Sequence, residues 1–295
     1  MKHGWLVVNH FLQTEKFTDL YNRLEEGARQ AGLTLSVKTG CELLQTIEGE
    51  CLWEQETLPD FVLFWDKDIR LAKLLESRGI RLFNSSEAIS LCDDKSLTHL
   101  ALSGKVPMPK TILAPMTYPN IGYTDLSFVE KAAEVLGLPM VIKECFGSFG
   151  AQVYLVQSVE EAKEKVKSLA GVPFLMQAFV EISAGRDVRL QVVGDKVIAA
   201  MLRRSHSEDF RANITAGGTM EPWTPTLKQT ELAVSVCRHL GLDFAGVDFL
   251  FGENEEPILC EVNSNAHFKN LYDCTGVDAA VYIMAYIKEQ LEEEQ

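Results

Sequence analysis

The sequence has no pair of cysteines at CxxC spacing, and its cysteine count is odd, with seven in 295 residues. A disulfide framework or a zinc knuckle needs paired cysteines, so both are disfavoured, and we expect most of the seven to be small core residues. Basic residues are also scarce, with 28 Lys and Arg against 42 Asp and Glu. The formal net charge of −14 argues against a nucleic-acid partner, because a polyanion would be repelled.

Long apolar runs are missing as well. None approaches the roughly 20 residues that a transmembrane helix needs, and no signal-peptide cleavage pattern follows the opening MKHGWLVV. We therefore expect a cytoplasmic protein without a membrane partner. With 46% apolar residues, the chain can bury a sizeable core and divide into two or three lobes.

Three lobes are predicted from the order of strand and helix patterns. Residues 1–88 alternate strand and helix, which is typical of a parallel α/β lobe. Residues 89–176 form a small central lobe around a glycine-containing loop, and residues 177–295 form a mostly antiparallel lobe with two hairpins. A single helix is expected from Ser86 to Gly104, since the prolines that follow cannot continue it.

The strongest chemical signal is a predicted hairpin of the strands 245–251 and 257–263, centred in the middle of its polar turn. In that register Asp248 faces Glu261, and Asn263 shares the face of Glu261. Facing carboxylates repel each other unless a cation lies between them, and hard oxygen ligands suit Mg²⁺ or Mn²⁺. The hairpin therefore predicts a metal site. The alternative, a solvated surface face, is disfavoured by the apolar residues around these three.

A second candidate site lies in the central lobe, where Lys143 near the end of a strand is followed by the loop GSFGAQ, residues 147–152. Two glycines in this loop would let the backbone approach a phosphate. A hairpin turn that binds nothing would look much the same. Lys95, on the predicted helix, has the alternative of being a solvated surface lysine.

Another hairpin is predicted around the turn Gly194-Asp195. Symmetric pairing sets Val188, Leu190 and Val192 against Met201, Ala199 and Val197 on an apolar face, with Asp187 and Arg189 on the other. The segment 203–218 then adds Arg203, Arg204, Arg211 and Asn213, an unusual concentration of cations in an acidic chain. Anion binding is one interpretation. The alternatives are a solvated loop and, for Arg189, a structural role in the sheet.

From Asn84 to Asn270 these segments, in this order, resemble the RimK-like branch of the ATP-grasp ligases. The resemblance is carried by NSSEAISLCDDKSLTHLAL, VPMPKT, LPMVIKECFGSFG, QAFVEISAGRDVRLQVVGDKVIAAMLRR, EDFRANITAGG, AGVDFLF and CEVNSN. It implies an α/β ATP-grasp fold with an N-terminal parallel pre-ATP-grasp lobe, a small central lobe and a C-terminal antiparallel-sheet lobe.

The resemblance also implies a role for each candidate residue. ATP phosphates would be held by Lys95 and Lys143 and covered by Gly147, Ser148, Phe149 and Gly150. The adenine hinge would be Gln177, Ala178, Phe179 and Val180, with Glu181 near the adenine or ribose, and Asp187 and Arg189 as further nucleotide-site candidates. Two Mg²⁺ (or Mn²⁺) ions would be bound by Asp248, Glu261 and Asn263. Arg211 and Asn213 would address the γ-phosphate and the reacting carboxylate, and Arg203 or Arg211 would stabilise the tetrahedral intermediate.

The activity implied is that of an ATP- and Mg-dependent carboxylate–amine ligase that works through an acyl phosphate on small-molecule or peptide substrates. Two departures from the family pattern leave the substrates open: Gln152 stands where a further glycine is usual, and Ala216 where an arginine is common. Glutamate addition is our hypothesis. The alternatives are another amino acid or peptide pair and a nucleotide-binding regulator without turnover, and a homo-oligomer is also an open option.

Overall fold

Three β-sheets organise the part of the chain that the computed structural model describes, which comprises residues 2–52, 58–147, 150–206, 209–212 and 217–293. One sheet is parallel and two are antiparallel. The mixed α/β architecture predicted from the sequence is confirmed. Among the helices in the described ranges, none is long and apolar enough to cross a bilayer.

The N-terminal sheet is parallel, with the strand order β2-β1-β3-β4. Its strands are β1 (His3–Val8), β2 (Thr34–Thr39), β3 (Phe61–Phe64) and β4 (Leu82–Phe83). Helix α1 (Glu15–Ala31) connects β1 to β2, and α2 (Ile69–Glu76) connects β3 to β4. Helix α1 ends at Gly32, whose positive φ of 75° suits a residue without a Cβ.

The central sheet is antiparallel, with the strand order β5-β8-β6-β7. Its strands are β5 (Thr111–Leu113), β6 (Met140–Glu144), β7 (Val153–Val156) and β8 (Phe174–Ala178). The helices α5 (Ser127–Leu136) and α6 (Val159–Ser168) cover one face, where they pack on Met140 and Ile142. Because side chains alternate along a strand, Val141 and Lys143 point to the opposite face.

The C-terminal sheet is antiparallel, with the order β11-β10-β9-β12-β13. Its strands are β9 (Arg186–Val193), β10 (Lys196–Arg204), β11 (Thr219–Pro222), β12 (Phe244–Phe251) and β13 (Pro257–Asn263). Helix α7 (Leu227–Leu240) packs on one face. The helices α8 (Lys269–Thr275) and α9 (Ala279–Glu293) follow, and α9 packs against α1 in a core shared with the N-terminal sheet.

Buried Asn84 ties the first and third sheets together. Its amide nitrogen donates to the carbonyl oxygens of Phe244 (3.0 Å) and Ser264 (2.9 Å), and its amide oxygen accepts from the backbone N–H of Asp243 (2.6 Å). Hydrogen bonds of a buried amide fix the geometry on both sides of it. The relative position of the two sheets is therefore specified at the point where a site between them can form.

The helix predicted from Ser86 to Gly104 is wrong as a single element. The chain forms two helices, α3 (Ser86–Asp93) and α4 (Lys95–Leu102), separated by Asp94 in an extended conformation. The Asp94 carboxylate accepts the backbone N–H groups of Ser96 (2.8 Å) and Leu97 (3.4 Å) and thereby caps the second helix. As a result, Lys95 begins a helix rather than lying within one.

The pairing predicted for β9 and β10 is wrong beyond the turn. Val192 pairs with Val197 as expected, but the register shifts before Ala199, so that Met201 faces Arg189 instead of Val188. A bulge at Ile198 adds one residue to β10. The two predicted faces of β9 are nevertheless correct, because Val188, Leu190 and Val192 lie in the core beneath α7. The predicted face of β10 is wrong, because the bulge turns Met201 and Ala199 to the other face of the sheet.

Candidate active site

A cavity of about 580 Å³ lies where the three sheets meet, and its volume suits a nucleotide-sized ligand. Within the described residues its walls carry eight cations (Lys16, Lys67, Lys95, Lys143, Arg186, Arg189, Arg203 and Arg211) and four carboxylates (Asp66, Asp187, Asp248 and Glu261). The cavity therefore has an excess of positive charge, whereas the whole chain has a formal net charge of −14. A cavity so charged concentrates anions.

The β12–β13 hairpin carries the predicted carboxylate pair into this cavity. Asp248 pairs with Glu261, as predicted, and Gly246 pairs with Asn263. The predicted centre of the turn is wrong by half a residue, since Phe251 pairs with Pro257. A bulge between the pairs Phe249–Leu259 and Asp248–Glu261 then restores the expected register at Asp248. The bulge also leaves Cys260 and Glu261, two successive residues, both lining the cavity.

Asp248 belongs to a network of two arginines and two aspartates whose four charges cancel. The Arg189 guanidinium donates to both Asp248 oxygens at 2.6 Å. Arg203 donates to both Asp187 oxygens at 2.6 and 2.8 Å and to Asp248 at 2.8 Å. The exposed fractions are 3% for the Asp248 side chain and 13% for Arg203 and Asp187. Such bidentate charge-assisted pairs hold these side chains in fixed orientations.

Burial and the two arginines shift the pKa values of the network in opposite directions. Burial alone would raise the pKa of Asp248, but Arg189 and Arg203 outweigh it and hold that pKa below its ordinary value. For Asp187, burial exceeds the attraction of Arg203 and raises the pKa. Arg203 has its pKa raised because its two carboxylate partners outweigh burial, so the guanidinium keeps its charge.

The hairpin residues fit a hard divalent cation. No group of three His, Cys, Asp or Glu side chains able to hold a metal occurs in the described ranges. The predicted third ligand, Asn263, is an amide. Asn263 qualifies, because its amide nitrogen is buried without a hydrogen-bond partner. Rotating the Asn263 amide by half a turn would exchange its nitrogen and its oxygen. The oxygen would then occupy the position of the nitrogen, and no hydrogen bond of the nitrogen would be lost. Two carboxylates and an amide oxygen are ligands that Mg²⁺ accepts.

Lys143, Lys95 and the glycine loop come together beside the carboxylates. Lys143 is 7% exposed and lines the cavity from β6. The Lys95 ammonium lies 3.4 Å from the Gly147 carbonyl oxygen and 3.6 Å from a Glu261 oxygen. Arg211 donates to the Gly150 carbonyl at 2.7 Å and also pairs with Asp209. The sequence-predicted phosphate and metal residues are thus neighbours in the fold.

The departure at Gln152 has a structural counterpart in this loop. A side chain at Gly147 would clash with that of Gln152, and the backbone at Gly147 has a positive φ of 145°. Gln152 therefore packs closely against the first glycine of the loop, and only glycine fits there. Ser148, Phe149, Asn213 and Ala216 lie outside the described residues.

The predicted hinge lines the cavity at the end of β8. All four of its residues, Gln177, Ala178, Phe179 and Val180, contribute to the wall. The Gln177 amide nitrogen contacts His99 Nε2 at 3.0 Å and the Thr111 hydroxyl at 2.9 Å, which fixes the strand end. Burial lowers the pKa of His99 and favours the neutral ring. Glu181 is exposed and is not brought into the cavity wall.

The N-terminal lobe contributes residues that the sequence did not single out as site residues, notably Lys16, Tyr21 and Asp66. Asn9 and His267 also line the cavity. His267 Nε2 lies 3.1 Å from the Lys16 carbonyl oxygen and so connects the first turn of α1 to the chain after β13. A signal was present for Asp66, since it is the first charged residue after a buried strand.

Comparisons with known proteins identify the class. The family model described as the RimK-like ATP-grasp domain matches residues 92–287. An uncharacterised protein of Mycoplasma pneumoniae is 31% identical over 97% of this chain and 100% of its own. N-acetylaspartylglutamate synthase A of Homo sapiens is 33% identical over 78% of this chain and 60% of its own, and a probable alpha-L-glutamate ligase of Trichodesmium erythraeum is 34% identical over 75% and 72%.

Solved structures agree with this fold. A RimK domain ATP-grasp protein from Sphaerobacter thermophilus has a TM-score of 0.71 at 19% identity, covering 97% of this chain and 99% of that one. D-alanine–D-alanine ligase from Bacillus anthracis has a TM-score of 0.72 at 15% identity, covering 100% and 99%.

Together with these matches, the three sheets and the cationic cavity between them place the chain among the ATP-grasp carboxylate–amine ligases, which form ADP. Within that class, the chain belongs to the RimK-like ATP-grasp family.

Proposed function

We propose that this ligase uses Mg²⁺ and ATP to phosphorylate a substrate carboxylate and then joins it to the amine of glutamate. The observation that carries the proposal is the meeting of the carboxylate pair Asp248 and Glu261 with Lys95 and Lys143 in one cavity with excess positive charge. A site for an anion-binding regulator would not need two carboxylates beside its phosphate-binding lysines.

In this proposal the lysines bind the nucleotide and the hairpin binds the metal. Lys95 and Lys143 hold the phosphates, with the backbone at Gly147 and Gly150 close to them, and residues 177–180 receive the adenine. Asp248, Glu261 and Asn263 would hold Mg²⁺, which would neutralise charge on the phosphates and polarise the one that is transferred. Arg211, bonded to the loop at Gly150, keeps a cation beside the transferred group.

The chemistry is two successive displacements. A carboxylate oxygen of the substrate attacks the γ-phosphorus, the bond to the ADP oxygen breaks, and an acyl phosphate forms. The amine nitrogen, in its deprotonated form, then attacks the acyl carbon, the bond to the phosphate oxygen breaks, and the departing phosphate takes the proton that the nitrogen loses as the amide forms. Arg189 and Arg203 lie beside the metal-binding carboxylates and would stabilise the negative charge on the tetrahedral intermediate. No nucleophile from the protein is needed.

Glutamate is proposed as the amine substrate from the names of the relatives. Of the relatives compared above, one is named an N-acetylaspartylglutamate synthase and another a probable alpha-L-glutamate ligase, and this chain spans 60% and 72% of their lengths. A cavity with eight cations suits substrates that carry several carboxylates. Small molecules or peptides as the carboxylate substrate and a cytoplasmic location are part of the same proposal.

The test is ADP formation from Mg-ATP with carboxylate and amine substrates offered singly and in pairs, with product masses measured. N-acetyl-L-aspartate, citrate and short acidic peptides are the carboxylates, and a panel of amino acids supplies the amine. We expect turnover that needs both partners and is lost in Asp248→Ala and Glu261→Ala. Glu253→Ala, in the exposed turn of the same hairpin, is the matched control. Binding of ATP without turnover for every pair would favour a regulator instead.

A further inference from the structure

The carboxyl ends of β1 and β3 meet at a point where the strand order reverses. From β1 the chain crosses to β2 on one side and then reaches β3 on the other, giving the order β2-β1-β3-β4. In open parallel sheets, ligands bind in the crevice at such a switch point. Asn9 directly follows β1, Asp66 lies two residues after β3, and both line the cavity.

The carboxylate of Asp66 forms no salt bridge with a described residue, and the charge of the neighbouring Lys67 only partly offsets its burial. The Asn9 amide nitrogen lies 3.4 Å from each carboxylate oxygen, and the backbone N–H of Lys67 donates at 2.7 Å. Both donors are neutral. The Lys67 ammonium pairs with Asp93 instead. Burial raises the pKa of Asp66, as expected for a carboxylate held away from water without a salt bridge.

The carboxylates of the cavity wall differ in their distance from cations. Lys16 lies in the first turn of α1. Burial and the charge of Arg189 lower the pKa of Lys16, so these two cations are close enough to repel each other. The other three carboxylates of the wall belong to the C-terminal sheet, where Asp187 and Asp248 are paired with arginines and Glu261 lies near Lys95. Of the four wall carboxylates among the described residues, Asp66 is therefore the most favourable place for a positively charged ligand group.

We infer that Asp66, oriented by Asn9, binds the ammonium of the amino-acid substrate that supplies the amine, at the switch point of the N-terminal sheet. The inference rests on the proposed function, because only a ligase needs an amine held beside an activated carboxylate. Asp66 acts here as a specificity residue that contacts the substrate, and Asn9 acts through it as a positioning residue.

The first test is binding of L-glutamate and of N-acetyl-L-glutamate to protein loaded with Mg²⁺ and AMP-PNP, measured by calorimetry. Binding removes water from the charge pair between Asp66 and the ammonium, and Asp66→Asn removes one partner of that pair. We therefore expect L-glutamate to bind Asp66→Asn at least about tenfold more weakly. We expect Asn9→Ala to weaken binding less, and N-acetyl-L-glutamate, which lacks the ammonium, to bind wild type and Asp66→Asn equally. The matched control is Asp60→Asn, the same charge change on an exposed residue that does not line the cavity.

The second test separates this inference from the proposed function. Hydroxylamine traps an acyl phosphate as a hydroxamate and carries no ammonium or carboxylate for a subsite to recognise. We expect the ratio of glutamate-dependent product to hydroxamate to fall at least about tenfold in Asp66→Asn and to stay constant in Asp60→Asn. An unchanged ratio, or wild-type protein that binds AMP-PNP but not L-glutamate, would overturn the inference. Wild-type protein that forms no hydroxamate with any carboxylate would instead overturn the proposed function.

Discussion

Replacing Arg203 by methionine isolates the energy of the buried charge network. The substitution keeps an unbranched side chain of similar length but removes the cation that bridges Asp187 and Asp248. The four charges then no longer cancel, and Asp187 loses its bidentate partner in surroundings where its side chain is only 13% exposed. Breaking a buried pair from one side costs about 3–5 kcal/mol of unfolding free energy.

The next residue in the chain provides a matched control. Arg204 is 47% exposed and lies 3.5 Å from Glu221, which is 60% exposed, so Arg204→Met should cost about 0–1 kcal/mol. The assay is the unfolding free energy from urea denaturation of both variants. Equal losses in Arg203→Met and Arg204→Met would refute the assignment of a buried network.

The cost of Arg203→Met should also depend on pH. Burial already raises the pKa of Asp187, and without Arg203 that pKa rises further. A carboxyl whose pKa is raised on folding binds its proton more tightly in the folded state, so folded protein is favoured as the pH falls. The loss measured at about pH 8 should therefore shrink at about pH 5. A loss that grows on acidification would contradict this reasoning.

Two further predictions concern other buried charges. Lys143→Met should raise the KM for ATP about 10- to 100-fold, because a cation that is 7% exposed would no longer face the phosphates. The control Lys131→Met, on the exposed face of α5, should leave the KM unchanged. Equal KM values in the two variants would contradict the role of Lys143. Asp243 has its pKa raised to about 6 by burial, partly offset by the Tyr286 hydroxyl at 3.1 Å. Wild type should therefore gain stability as the pH falls through about 6 relative to Asp243→Asn, and urea unfolding curves whose difference does not change with pH would contradict this.

The faces of β9, β12 and β13 were predictable from the sequence, whereas the face of β10 beyond its bulge was not, and the register was only partly so. Alternation of polar and apolar residues placed Asp248 and Glu261 on the cavity side, because the core accepts only one face of a strand. A bulge has no such compositional signal. Ile198 and Cys260 look like ordinary strand residues, yet each adds a residue to its strand. At Ile198 this made the predicted pairing wrong, and at Cys260 it compensated for a misplaced turn centre.

Other parts of the site depended on structure that the sequence does not contain. The apolar pattern continues from α3 into α4, so only the capping geometry of Asp94 ends one helix and begins the next. The approach of Lys16 and Asp66 to the cavity depends on the order of parallel strands and on the packing of α1 against α9. Local periodicity does not determine strand order, so Lys16 could not be assigned to the site beforehand, and the position of Asp66 after a buried strand was not enough by itself to assign it.

The most direct test of the central claim is the fate of oxygen from the carboxylate substrate. The productive carboxylate of the substrate panel is labelled with ¹⁸O and turned over with Mg-ATP and the amine, and the released phosphate is analysed by mass spectrometry. Attack of the carboxylate on the γ-phosphorus predicts one labelled oxygen in the phosphate for each amide formed. Unlabelled phosphate accompanying amide formation would contradict the acyl-phosphate mechanism.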